Sequence, residues 1–80
     1  MQSTAGLREL AYRVNHGVEV SLLWHPEKDR LTVMVVDVRT RSWFNVPATA
    51  DNALDVFNHP FAYAARDGVE YELALPSQAA

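Results

Sequence analysis

Residues 31–38, Leu-Thr-Val-Met-Val-Val-Asp-Val, are the most β-prone stretch of the chain. Branched side chains suit a pleated surface, and here apolar residues stand at both alternating phases. The segment therefore predicts a central strand, and the chain on either side must supply its neighbours.

Upstream, Val18, Val20, Leu22 and Trp24 alternate with Glu19, Ser21, Leu23 and His25, the two-residue period of a second strand. The polar run Pro26-Glu27-Lys28-Asp29-Arg30 makes a reversal between the two. Setting Trp24 opposite Leu31 brings Leu22 to Val33 and Val20 to Val35. Downstream, Arg39-Thr40-Arg41-Ser42 lacks the glycine of a tight hairpin and predicts a four-residue loop. Trp43-Phe44-Asn45-Val46 then forms a third strand, stopped by Pro47. Pairing Val38 with Trp43 sets Asp37 opposite Phe44 and Val35 opposite Val46. One face then collects Val18, Val20, Leu22, Trp24, Leu31, Val33, Val35, Phe44 and Val46, which is the expected core. The other gathers Leu23, Met34, Val36, Val38 and Trp43 among polar neighbours.

At the amino-terminal side, Leu7, Leu10, Ala11 and Val14 fall at i, i+3, i+4 and i+7 and predict a helix over about residues 4–15, capped by Ser3 or Thr4 and ended by Gly17. A near-repeat supports that reading. Ala11, Tyr12, Gly17, Val18, Glu19 and Leu22 recur 51 residues later as Ala62, Tyr63, Gly68, Val69, Glu70 and Leu73, as if a helix ended at glycine and delivered a strand each time. Thr49 or Asp51 would cap the later helix, whose stripe is Ala53, Leu54 and Phe57. Asn58-His59-Pro60 predicts a break, with a short helix from Pro60 to Arg66. Gly68 ends it, and Val69, Tyr71 and Leu73 alternate as a last strand before a frayed tail at 76–80. The expected fold is a single α+β domain over 1–80, an antiparallel β-meander with helices packed on one face, in the order α-β-β-β-α-β.

Composition narrows the function. Seven basic against ten acidic residues give a net charge of −3 and a pI near 5.4, which disfavours a nucleic-acid partner. Without cysteine there is no disulfide or thiolate metal site. No apolar run reaches the ~20 residues of a membrane span, and residues 1–6 lack the features of a signal peptide, so the cytoplasm is the expected location. Eighty residues bury only a modest core, which makes self-association a natural supplement.

Chemistry-bearing residues are sparse. His16, His25 and His59 lack close ligand spacing, so no metal is expected. Ser21 and Ser42 have only Asp37 as a strand aspartate, no nucleophile elbow surrounds them, and Asp37 reads as an ordinary residue beside a hairpin. The three glycines never cluster into a phosphate-cradling loop. No enzyme activity and no cofactor are expected. Instead the apolar outer-face residues Leu23, Met34, Val36, Val38 and Trp43 predict a protein interface, in a homodimer. The alternative is a small-ligand pocket or accessory enzyme site at the two His-Pro corners, using Trp24, His25, His59 and Tyr63.

The stretches Leu10–Trp24, Pro26–Arg30 and Ala53–Tyr63 resemble a family of small uncharacterised actinobacterial proteins. That family carries a glycine-containing turn where this chain has Arg39-Thr40-Arg41-Ser42. The resemblance implies no activity and no catalytic residue.

Overall fold

In the computed structural model, which describes residues 7–69 and 72–73, four long antiparallel strands follow one another as neighbours. They are β1 (Arg8–Asn15), β2 (Val18–His25), β3 (Arg30–Asp37) and β4 (Ser42–Ala48). Two short helices come next, α1 (Ala53–Asn58) and α2 (Pro60–Asp67), before β5 (Glu72–Leu73) returns beside β4. The class is α+β. The expected caps Ser3 and Thr4, Tyr71 and the tail at 76–80 lie outside the described residues.

The first element corrects the expected order, which among the described residues becomes β-β-β-β-α-α-β: residues 8–15 of the expected helix are a strand. Leu10, Tyr12 and Val14 also alternate with Ala11, Arg13 and Asn15, so Leu10 and Val14 of the helical stripe equally satisfy a two-residue period, with Ala11 turned to the opposite face. A bulge between Glu9 and Ala11 absorbs the mismatch. A helix of about 12 residues is marginal by itself, whereas a strand pairs the whole open side of β2. His16 (φ 54°) and Gly17 (φ 80°) complete the connection as a two-residue turn with both residues in the left-handed region, the geometry that matches strand twist. Gly17 also sits against Arg39, and a Cβ there would lie 2.8 Å from Arg39 Cγ.

The β2–β3 register is as expected, with Trp24 opposite Leu31, Leu22 opposite Val33 and Val20 opposite Val35. The β3–β4 register differs by two residues: Asp37 pairs with Ser42, Val36 with Trp43, Val35 with Phe44 and Val33 with Val46. The loop has the expected four residues but spans 38–41, because Val38 leaves the ladder to donate its N–H to Gly17 O at 3.0 Å. A slip of two keeps every paired side chain on its face, so both faces keep their expected membership except Val38, which passes into the loop. β4 runs through Pro47 to Ala48, since among the described residues β5 covers Ser42 and Trp43 and none asks Pro47 for an N–H.

The helices cover the inner face. Val20, Leu22, Val33, Val35, Phe44 and Val46 meet Ala53, Val56, Phe57 and Ala64 in one buried cluster. The α1 stripe is therefore Ala53, Val56 and Phe57; Leu54, expected inside, is 67% exposed. Asn52 is the cap residue, and it exchanges hydrogen bonds with Thr49: Thr49 N–H donates to Asn52 Oδ1 at 2.8 Å and Asn52 N–H to Thr49 Oγ1 at 3.4 Å. Pro60 opens α2 as expected, and Gly68 (φ 73°) ends it while Val69 N–H reaches back to Ala64 O at 2.8 Å. Arg13 ties β1 to the helices, donating from Nη2 to Phe57 O at 2.9 Å with its guanidinium 5.3 Å from the Phe57 ring centre. That carbonyl belongs to the last turn of α1, where a cation is favoured.

Candidate functional site: the outer face of the sheet

Because strands alternate, burying Val20, Leu22, Val33 and Val35 under the helices turns Ser21, Leu23, Thr32, Met34 and Val36 to the other side. The register adds Tyr12 opposite Ser21, Val14 opposite Glu19 and Trp43 opposite Val36. All four long strands thus contribute apolar side chains to a face on which no described helix packs. Leu23, Met34, Val36 and Trp43 are half-buried among their neighbours. Val38, in the loop beyond β3, is 48% exposed. Trp43 Nε1 is buried with no acceptor among the described residues, the kind of orphaned donor that costs free energy.

Two contributors were hidden by the helical reading of residues 4–15. Tyr12 and Val14 stand 48% and 56% exposed. The Leu10-Tyr12-Val14 alternation was the signal for them. Partial desolvation raises the Tyr12 phenol above its ordinary value, and the carboxylates of Glu19 and Glu9 add to the shift. At the β2–β3 turn the face dips into a shallow cavity of about 310 Å³, floored by Leu23 and Met34 and rimmed by His25, Lys28 and Arg30.

The residues of the two His-Pro corners lie on different elements of the fold. His25 lies on the outer face at the β2–β3 turn, whereas Trp24 alternates to the inner side and directs Nε1 at Asp29 Oδ1, 3.5 Å away. His59 sits at the junction of α1 and α2, on the helical side. Tyr63 donates to Asp55, which raises its phenol, and carries Arg66 over its ring at 4.7 Å. The cavity at His25 includes neither His59 nor Tyr63, and a smaller one at Tyr63 is lined by Ala62 and Arg66. His16 occupies a third place, the β1–β2 turn. Among the described residues no three histidine or acidic side chains group as metal ligands.

Asp37, expected as an ordinary residue beside a hairpin, is part of the loop's scaffold. It is only 6% exposed and accepts three hydrogen bonds from Arg39: the backbone N–H at 3.0 Å, Nε at 3.0 Å and Nη2 at 2.9 Å. The Arg39 hydrogen bonds hold its carboxyl below the usual range against the opposing effect of burial. Ser42, opposite it, shares a 2.6 Å hydrogen bond with Thr40. These contacts build the β3–β4 loop.

Compared with protein-family models, curated proteins and solved structures, the chain matches none of them. Among the described residues no helix is long and apolar enough to cross a membrane. A reading of function therefore starts from the outer face.

Proposed function

We propose that this protein is a non-enzymatic interaction module that associates with a second copy of itself through the outer face of its sheet. The observation that carries the reading is the apolar face itself: Leu23, Met34, Val36 and Trp43 with Tyr12, Val14 and Val38 around them, uncovered by any described helix. Contiguous apolar surface of this kind on a small protein marks interaction sites. A net charge of −3 favours a protein partner over nucleic acid. A cytoplasmic setting and a kinship with small actinobacterial proteins remain part of the proposal and assign no chemistry.

Three strands of eight residues and one of seven present a projected face of roughly 500 Å², or about 1,000 Å² for two copies. That is the low end of specific interfaces, so the contact is a reversible one. Sedimentation velocity tests it. The wild type should gain mass with concentration, and Trp43→Glu should gain less across the same range. Val38→Glu, at a position already 48% exposed, supplies a variant whose fold is undisturbed and should weaken the association in the same direction. A wild type monomeric at every concentration refutes the reading, as do two variants that associate like the wild type.

A further inference from the structure

The two edges of the sheet are finished differently. Beyond β4, Pro47 offers no N–H and β5 takes Ser42 and Trp43. β1 stands at the other end with eight residues and no strand beyond it among the described residues. Its bulge at Glu9–Ala11 interrupts one end, and the stretch from Tyr12 to Asn15 is regular. Leu10, Tyr12 and Val14 along it are each about half exposed, at 54%, 48% and 56%.

The turn decides which backbone groups this edge offers. In a two-residue hairpin the flanking residues form the closely bonded pair, here Asn15 and Val18. Arg13 and Asn15 thus spend their N–H and C=O groups on β2, while Tyr12 and Val14 aim theirs at the open edge. We propose that β1 pairs along this edge with β1 of a second copy, antiparallel about a two-fold axis at Tyr12.

Self-complementarity identifies the occupant. With Tyr12 against the partner's Tyr12, Leu10 meets the partner's Val14 and Ala11 the partner's Arg13, so apolar meets apolar and no like charges oppose. Sliding two residues toward the turn sets Arg13 against the partner's Arg13, and sliding the other way centres the pair on the bulge. Edge pairing joins two outer faces side by side, and it stands independently of the face contact proposed above. With both contacts made, two edge-paired dimers stack into a four-copy assembly.

Amide hydrogen exchange of the full chain, followed from dilute to concentrated protein, tests the pairing. The Tyr12 and Val14 amides should exchange freely when dilute and slow at least about tenfold as copies associate, while Arg13 and Asn15 stay protected throughout. Val14→Lys should abolish the concentration-dependent slowing at Tyr12, and Tyr12→Pro that at Val14. Protection of Arg13 and Asn15 reports in each variant that the hairpin is intact. Trp43→Glu separates the two contacts: it should lose face association and keep the slowing at Tyr12. Fast exchange at Tyr12 and Val14 in a protein that has gained mass overturns the edge pairing and leaves the face contact standing. Protection that ignores concentration overturns it as well, because the chain itself would then cover the edge.

Discussion

Gly17 and Gly68 carry the same backbone requirement, with φ of 80° and 73°, yet their surroundings differ. A Cβ on Gly68 meets nothing within 4 Å, while one on Gly17 would press to 2.8 Å from Arg39 Cγ. Gly68→Ala should therefore cost about 1 kcal/mol, the conformational term alone. Gly17→Ala should cost more, since moving Arg39 also disturbs the fork it makes on Asp37. Urea unfolding of the two variants checks this; equal losses would show that Arg39 simply moves aside. Both glycines announce a positive φ in the sequence. Neither announces which elements it joins, because a left-handed residue ends a helix and turns a hairpin equally well.

At the scale of elements, the β3–β4 hairpin shows how a loop without glycine is held. Asp37 binds the Arg39 backbone and guanidinium, Thr40 binds Ser42, and Arg41 takes φ 60° to close the reversal. The lowered Asp37 pKa has a definite sign for stability. The folded state releases this proton more readily than the unfolded chain, so the hairpin's contribution is fully present above the ordinary carboxylate value near 4 and is lost as pH falls through the depressed folded value. Asp37→Asn should lower the urea midpoint at neutral pH, and the gap to wild type should close as both are acidified. A gap that persists unchanged at low pH would exclude the ionised fork as its cause. The sequence placed a four-residue loop here but slid it by one residue, and so slipped the pairing by two, because neither the Val38 bond to Gly17 nor the Arg39 fork is visible without coordinates. Residues 8–15 failed more completely: Leu10 and Val14 fit both a helical stripe and a strand alternation, and the unpaired side of β2 decides between them.

At the scale of the molecule, an 80-residue chain with a Cα radius of gyration of 12.8 Å has a limited core. Helices cover one face of the sheet, no described helix packs on the other, and in the proposed assembly the apolar groups there and along β1 gain burial by association. Unfolding should then depend on mass action, with a Tm that rises with protein concentration in the wild type and stays constant in Trp43→Glu combined with Val14→Lys. A wild-type Tm independent of concentration would argue against any coupling of fold and assembly. From the sequence alone came the central strand, the β2–β3 register, the helix break at His59-Pro60 and the division of apolar residues between two faces. Each rests on local propensity or a strict two-residue period, which any fold must honour. The tertiary structure decided that β1 is a strand, that Tyr12 and Val14 join the outer face, that His25 and Trp24 take opposite faces of the sheet and that Asp37 is held by Arg39. Those outcomes depend on which hydrogen-bonding edge was left open and which residue lay across the turn, and both are properties of the folded arrangement rather than of any segment within it.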